Sequence, residues 1–423
     1  MKISLCILAA ALSACCLLPG LAGASGYEFD GIGARSMARG GAVIADAADW
    51  SAIYWNPANL ADVKAREAGL ELKAGNSHSY DGNSFNVKSP ALPNESFSKK
   101  HQRSSFFFGS MGTAIPLNTV SALGVGVYLP LLQGSNFEDT SASNTLYNRL
   151  DYEGFAAILV MNVSYARKVS DKVSLSLGLN AIRGSISSDA EAGLNFPPSV
   201  ALIGAYGLVP GTLRKEMSGS GYGLEGISGV KYNVSDKFSL GAVFRTGATV
   251  NLEGESEASF KTTVEKSDFK FTLKQPPTSG VGFAWKHGRK TVLTFDFTQT
   301  WWRGFSSKTT YDSQGELLVN QPNTFDWKNS YKLRAGALWA YDERTDFMAG
   351  WAYDTPAIDA GSLDHSSAID VHMHRFSAAV SRRWGGLEAT LGGLAGNFTS
   401  REAGGVKYGL GGGYAMGELK YKF

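Results

Sequence analysis

The chain has 423 residues, a formal net charge of +2 at neutral pH and 18% charged residues. This near-neutral balance gives no support for a polyanionic partner such as nucleic acid. Mean hydropathy is -0.11. No stretch after the N-terminus offers the roughly 18 consecutive apolar residues of a spanning helix, which excludes a helical membrane protein. A chain of this length can still fold as one unit when it is all-β.

The N-terminus has the pattern of a secretory signal peptide. A basic second residue precedes an apolar run over residues 3–18, and Ala22-Gly23-Ala24 is a cleavage site of the A-x-A type. Residues 1–24 are therefore the predicted leader, with lipoprotein processing before Cys15 as the alternative. All three cysteines lie in this leader, so the mature chain is expected to lack thiols, disulfides and cysteine-bound metals.

Residues 25–66 differ from everything that follows them. They are rich in small residues, carry Asp46 and Asp49, include Asn56-Pro57-Ala58 and show no alternation. A compact non-strand segment before a long series of strands predicts a hatch, or plug, in front of a barrel. Pro57 fixes its own φ and biases Asn56 away from the helical region, so this motif is expected to form a tight turn.

From residue 67 to residue 423, apolar residues alternate with small or polar ones, as in Leu123, Val125 and Val127 around two glycines. Short turns alternate with long connections, predicted near residues 81–102, 131–153, 185–219, 255–267, 304–325 and 359–372. Such alternation is typical of a transmembrane antiparallel β-barrel with tight periplasmic turns, and pairing the segments predicts about fourteen strands. A soluble multi-sheet β-protein is the alternative.

Two further patterns favour a barrel in the bacterial outer membrane. Aromatic residues cluster near the predicted strand ends, as expected for interfacial girdles, and include Trp301, Trp302, Trp327, Trp351, Tyr353 and Trp384. The chain ends on Leu419, Tyr421 and Phe423, which resembles the C-terminal signature recognised by the barrel assembly machinery. That machinery and the outer-membrane lipid are the expected partners.

Several segments together resemble the FadL family of long-chain fatty-acid transporters, which includes toluene and aromatic-hydrocarbon channels. They are residues 33–42, 56–60, 237–254 and 327–356. The resemblance implies a monomeric channel without a cofactor, closed by the hatch. Hydrophobic ligands, expected to be long-chain fatty acids, would enter through outer loops, occupy a lumen pocket and leave sideways at a kinked third strand.

The resemblance places this third strand at residues 120–129. Its inward-facing Gly124 and Gly126 could permit a kink at the exit, or could simply relieve crowding inside the barrel.

The connection over residues 195–213 is too apolar for an ordinary solvated loop. Exposed apolar patches mark ligand or membrane contact, so this loop is the predicted ligand entrance. A loop folded down over the barrel mouth is the alternative. The candidate residues are Phe196, Leu202, Ile203, Tyr206 and Leu208.

Four cations fall in the inward-facing phase of their predicted strands. They are Arg245, Lys328, Lys332 and Arg334. A lumen cation could hold the carboxylate head of a ligand while apolar residues hold its tail. Ion pairs with hatch carboxylates such as Asp46 or Asp49 are the alternative role.

The competing functions are a general diffusion porin and an outer-membrane enzyme. No G-x-S-x-G, H-E-x-x-H or phosphate-binding loop is present, so no catalytic set is predicted. Asp364, His365, His372 and His374 share one connection and could hold a metal, but an exposed polar loop is the preferred interpretation.

Overall fold

The computed structural model describes residues 31–81, 85–89, 92–97, 102–139, 147–194, 211–304, 306–324, 327–359, 370–403 and 406–423. It is an antiparallel barrel of fourteen strands with a short helical segment inside it. No helix of the described residues is both long and apolar enough to cross a membrane.

The strand segments form two antiparallel sheets: nineteen of them form the barrel sheet, and Phe85–Ser89 pairs with Leu92–Phe97 in a separate two-stranded sheet. Their bounds are β1 Glu67–Asp81, β2 Phe85–Ser89, β3 Leu92–Phe97, β4 Gln102–Pro116, β5 Ser121–Asp139, β6 Tyr147–Lys168, β7 Val173–Leu194, β8 Gly211–Ser235, β9 Phe238–Arg245, β10 Ala248–Phe260, β11 Thr263–Gln275, β12 Thr278–His287, β13 Thr291–Thr300, β14 Ser306–Tyr311, β15 Gln321–Thr324, β16 Ser330–Ala340, β17 Thr345–Asp354, β18 Met373–Trp384, β19 Leu387–Phe398, β20 Arg401–Ala403 and β21 Val406–Lys422.

The barrel closes where β1 pairs with β21, from Glu67 opposite Lys422 to Asp81 opposite Tyr408. Five barrel strands are each built from two segments: β9 with β10, β11 with β12, β13 with β14, β15 with β16, and β19 with β20. The short turns lie at the end of the barrel that also holds the C-terminus, which marks the periplasmic end. The predicted barrel, its strand number and the apolar outer face are confirmed.

The outward side chains are apolar through the middle of the wall. Leu177 is 71% and Leu391 67% exposed, whereas the inward Asn162 and Asn180 are fully buried. A soluble sandwich would bury the apolar face instead. Trp301 and Trp384 are exposed on the outside, as expected of a girdle, but the prediction is wrong for Trp302 and Trp327. These two are buried, with ring centroids 4.6 Å apart.

The described residues of three predicted long connections, 131–153, 185–219 and 255–267, are strand almost throughout. The strands β5 to β8 extend well beyond the apolar band, and β10 meets β11 in a tight hairpin at Lys261, whose φ is 53°. The prediction was wrong because the outward residues there are charged, as in the opposed pair Glu257 and Lys266. Charged outward positions interrupt the apolar alternation on which strand prediction depends.

The hatch contains the helix α1 (Ala34–Ala38), the helix α2 (Ala52–Trp55) and the 3-10 helix Pro57–Asp62. Asn56 precedes Pro57 in an extended conformation, with φ −164° and ψ 103°. Its side-chain Oδ1 accepts a hydrogen bond from the backbone N–H of Ala58 at 3.1 Å. Proline suits the first position of this helix because it has no N–H to lose there. The motif thus makes the sharp change of direction between α2 and the 3-10 helix.

Candidate functional site

The hatch occupies the barrel interior and is itself almost completely buried. Trp50, Ile53 and Leu60 all have 0% exposure. The 3-10 helix contacts β5, β6, β7 and β8, whereas α1 contacts β17, β18, β19 and β21. The segment therefore bridges the lumen between opposite parts of the wall.

One side of the hatch is held by buried carboxylates of the closing strands. Glu71 accepts the backbone N–H of Gly33 at 3.1 Å, and Glu418 accepts that of Ala34 at 2.5 Å. Glu67 accepts the N–H of Trp50 at 2.8 Å. Loss of an acceptor would leave a buried N–H group without a partner, which is costly, so these three hydrogen bonds fix the first half of the hatch.

Ion pairs add to this attachment. Arg35 lies 2.9 Å from Asp346 and 3.1 Å from Glu388, and Asp49 lies 3.7 Å from Lys420. Burial would raise the pKa of Asp49, but Lys420 and hydrogen bonds from Ser51 hold it below its usual range. Asp49 is therefore a carboxylate anion that anchors the hatch.

The candidate cations are placed as follows. Arg245 points inward and pairs with Glu225 at 3.0 Å. Lys332 and Arg334 are also inward and buried, with exposures of 4% and 5%. The inward prediction for Lys328 is wrong, because β16 begins only at Ser330, and Lys328 lies before it, largely exposed and paired with Asp359.

Asp46 and Asp49 of the hatch, the expected partners of these cations, pair with other residues. Asp46 pairs with Arg39 of the hatch itself at 2.6 Å, and Asp49 pairs with Lys420. Arg334 instead places its guanidinium 5.6 Å from the ring centroid of Trp55. The lumen cations thus already have structural partners, which reduces their availability for a ligand.

Gly124 and Gly126 of β5 face the hatch directly. A Cβ atom built on Gly124 would lie 2.5 Å from Cγ2 of Ile53, and one on Gly126 would lie 2.3 Å from Cδ1 of the same residue. Both glycines are paired in register with β4 and with β6. Pairing is therefore intact at the two glycines themselves, and their role in the fold is to let α2 approach the wall.

The hydrogen-bonded pairing of the wall is interrupted just beyond these glycines, toward the outer end of the barrel. The pairing of β4 with β5 ends at Met111 opposite Val127, although both strands continue. β4 remains paired with β1 as far as Gln102, and β5 remains paired with β6, with a register shift between Tyr128 and Leu131. The third strand thus separates from the second at barrel mid-height. Unpaired backbone at that depth is acceptable only where it borders a cavity or is otherwise satisfied.

The outer part of the lumen has an apolar lining on one side. It belongs to a single buried cluster and comprises Ile158, Val160, Ile182, Ile186, Leu213, Met217, Val250, Leu252, Phe269, Phe271 and Leu273. These residues lie at every second position of β6, β7, β8, β10 and β11, so they point to the same side of the wall.

A small polar group lies within this lining and was not predicted from the sequence. Lys215 is only 3% exposed, and its ammonium lies 5.3 Å from the ring centroid of Tyr311. The Tyr311 hydroxyl and the Thr309 hydroxyl are buried without a hydrogen-bond partner among the described residues. The only sequence signal is the position of Lys215 between Leu213 and Met217 on one face of β8.

An outer loop covers part of the same region. The carboxylate of Glu265 accepts hydrogen bonds from the backbone N–H groups of Glu316 at 2.7 Å and of Leu317 and Leu318, both at 2.9 Å. Both leucines are almost fully buried. The predicted entrance residues Phe196, Leu202, Ile203, Tyr206 and Leu208 lie outside the described residues, as do Asp364 and His365.

His372 and His374 lie at the outer end of the wall. Nδ1 of His372 is 2.7 Å from the Tyr353 hydroxyl, and the His374 ring stacks against Trp351 with centroids 6.0 Å apart. Across the described ranges, no group of three or more His, Cys, Asp or Glu side chains is arranged to hold a metal ion.

A closed fourteen-strand barrel that contains an N-terminal hatch defines a plugged outer-membrane channel. The family model described as "Outer membrane protein transport protein (OMPP1/FadL/TodX)" matches residues 18–367. The chain belongs to this family of outer-membrane transport proteins, and its place is the outer membrane.

The similar proteins agree with this assignment. The chain is 23% identical over 402 residues to a putative outer membrane protein of Neisseria meningitidis serogroup B, with 84% of this chain and 82% of that protein covered. It has the fold of a Pseudomonas aeruginosa FadL homologue, with TM-score 0.74, 15% identity and coverage of 94% and 100%. It also has the fold of the Ralstonia pickettii toluene transporter TbuX, with TM-score 0.71, 16% identity and coverage of 93% and 99%.

Proposed function

We propose that this protein is an uptake channel for hydrophobic molecules that carry a carboxylate, such as long-chain fatty acids, and that it releases them sideways into the membrane. The observation that carries the proposal is the break between β4 and β5 beyond Val127, at the level where the hatch blocks the lumen. A molecule that descends from the outer loops cannot pass the hatch, and the break is the adjacent opening toward hydrocarbon.

The physical benefit of this route is that the ligand avoids water. Apolar surface in a water-filled pore would remain hydrated throughout, whereas an apolar lining lowers the free energy of each step. The cluster on β6 to β11 supplies such a lining. The toluene transporters that share this fold are channels for neutral aromatic molecules, so the fold alone leaves the ligand class open.

The polar group around Lys215 favours a ligand with a carboxylate. Its ammonium and the hydroxyls of Tyr311 and Thr309 lie among apolar side chains, and a buried cation binds a carboxylate more strongly than a neutral group. A neutral hydrocarbon would leave the hydroxyls of Tyr311 and Thr309 without a hydrogen bond.

The test is a comparison of ligands that differ only in charge. Binding of hexadecanoate, of its methyl ester and of hexadecane to the purified protein would be measured with the native chain and with Lys215→Met. We expect the native chain to prefer the acid and Lys215→Met to lose that preference while it still binds the ester. Equal affinity of the native chain for all three would contradict a carboxylate ligand but leave a hydrocarbon channel.

Export by a signal peptide that ends at Ala24 belongs to the same proposal. N-terminal sequencing of the outer-membrane protein should give Ser25 as the first residue, and a lipidated Cys15 would show that the leader is processed differently.

A further inference from the structure

Tyr128 is the first residue of β5 beyond its pairing with β4. It follows Val127, the last paired residue, and it precedes the register shift toward Leu131. It shares the inward phase of Gly124 and Gly126 and is 1% exposed. Its side chain therefore projects into the lumen at the level where the break begins.

Three neighbours hold this ring in place. The Tyr128 hydroxyl lies 3.4 Å from Oδ1 of Asn180. Tyr54, on the hatch helix α2, packs edge-on against it with ring centroids 5.5 Å apart. Arg245, on β9, lies close enough to interact electrostatically with the Tyr128 hydroxyl. The position of Tyr128 thus depends on a residue of the hatch.

Arg245 connects the same elements. Its guanidinium donates to Glu225 at 3.0 Å and to the backbone carbonyl of Tyr54, and it lies 4.7 Å above the Tyr54 ring. One side chain therefore joins β9, β8, the hatch and the first residue of the break.

The hatch helix α2 is the part of the hatch that is suited to move. It spans only Ala52–Trp55, between Trp50, which Glu67 holds, and Asn56, which donates to the carbonyl of Val230 at 3.0 Å. Its Ile53 meets β5 by apolar contact with two glycines. Apolar contact against glycine has no directional bond to break, so α2 is held to the wall by the bond from Arg245 to the Tyr54 carbonyl, and its loss would let this turn shift while its ends stay fixed.

We infer that Tyr128 is the gate residue of the lateral exit and sets the width of the molecules that pass, and that Arg245 is a positioning residue that holds the gate closed through Tyr54. The inference rests on the proposed lateral release. When α2 shifts, Tyr128 loses its edge contact and Arg245 loses the Tyr54 carbonyl. The ring then has room to rotate away from the break.

The first experiment measures transfer of a slim and a bulky fluorescent fatty acid from the purified protein into lipid vesicles. Tyr128→Ala should raise the rate for the bulky probe about tenfold and leave the slim probe little changed, since a tenfold rate corresponds to about 1.4 kcal/mol of barrier. Tyr128→Phe, which keeps the ring, should retain the native ratio of rates. If Tyr128→Ala keeps that ratio, Tyr128 does not set the width.

The second experiment locks the hatch to the wall with a disulfide, Ile53→Cys with Gly124→Cys. A Cβ on Gly124 lies 2.5 Å from Ile53 Cγ2, so the two Cβ atoms are at most about 4 Å apart, within disulfide geometry. Oxidation should retain binding but stop release, and reduction should restore release. The matched control is Ser36→Cys with Ser51→Cys, whose hydroxyls lie 3.0 Å apart within the hatch, and its oxidation should change nothing.

The outcomes separate the gate from the proposed function. If the native protein binds no hydrophobic probe or never releases it to vesicles, lateral uptake is wrong and the gate with it. If native release occurs and the oxidised hatch-to-wall lock releases at the same rate, only the gate is wrong.

Discussion

Asp296 on β13 accepts a hydrogen bond from the backbone N–H of Ile44 at 2.9 Å, and both residues are buried. A carboxylate of the wall thus holds the middle of the hatch at a point opposite the closing strands. Removal of this acceptor leaves a buried N–H without a partner, which costs about 1–3 kcal/mol.

Asp296→Ala should therefore loosen the hatch while the barrel remains folded. We expect higher ion conductance in planar bilayers and faster hydrogen exchange of residues 43–47. Asp296→Asn keeps an acceptor of the same shape and should have a smaller effect. Asp236→Asn, on an exposed turn, is the matched control and should conduct as the native protein does.

Asn56 should be sensitive in a similar way. Its amide nitrogen donates to the carbonyls of Ile44 at 2.8 Å and of Val230 at 3.0 Å, while its oxygen caps the 3-10 helix. Asn56→Asp keeps the cap but loses both donors, and it should destabilise the hatch about as much as Asn56→Ala. Protease sensitivity of the hatch would measure this. If Asn56→Asp is as resistant as the native chain, the cap alone fixes the turn.

Bulky residues at Gly124 should act on the hatch. Because a Cβ there would meet Ile53 at 2.5 Å and Leu60 at 2.7 Å, Gly124→Trp should displace the hatch and raise nonspecific permeability. Shortening the opposing residue in Gly124→Ala with Ile53→Ala should restore the closed state that Gly124→Ala alone disturbs. Conductance distinguishes the two variants, and an undisturbed Gly124→Ala would show that the contact relaxes without cost.

Acid should release the end of the hatch. Burial would raise the pKa of Asp62, but Lys231 at 2.8 Å and Lys168 at 3.1 Å hold it below the usual value of 3.8. A depressed pKa contributes stability that is present above the unfolded value and is lost as the pH falls through the folded one. The protection factor of residues 57–62 against hydrogen exchange, that is, the intrinsic rate divided by the observed rate, should therefore be unchanged from pH 7 to 5 and fall below pH 4. Asp62→Asn should show the low protection at all pH values.

The outer loop held by Glu265 offers a further test. A Cβ on Gly315 would lie 2.2 Å from the carboxyl carbon of Glu265, so Gly315→Ala should free the loop and expose Leu317 and Leu318. Limited proteolysis of intact cells would detect this. Gly417→Ala, where nothing lies within 4 Å, is the control and should remain uncut.

The sequence was sufficient for the barrel because lipid and lumen impose a strict period of two on each strand. Thus Leu175, Leu177 and Leu179 alternate with small or polar residues and do point outward. The same rule fails beyond the membrane, where charged residues take the outward positions of β10 and β11. The alternation rule also gave a wrong orientation for Lys328. Alternation predicts which side of a strand a residue faces, but it does not predict where the strand begins.

The site was less accessible to sequence reasoning. The break beyond Val127 arises because β4 stays paired with β1 and β5 stays paired with β6. The sequence of one strand does not show which neighbouring strand it pairs with. Similarly, Arg245 was recognised as inward, but its contacts with Tyr54 and Tyr128 join segments far apart in the chain. Lys215 carries no local signal beyond its phase, because its apolar surroundings come from other strands.

The carboxylates that hold the hatch sit on the two strands that complete the barrel. Glu67 and Glu71 belong to β1, and Glu418 belongs to β21, so the ligands of the hatch backbone come together only when the first and last strands join. An empty barrel would bury these carboxyl groups without the N–H groups of Gly33, Ala34 and Trp50 to bond them. We therefore expect the N-terminal segment to lie inside the barrel before β21 pairs with β1.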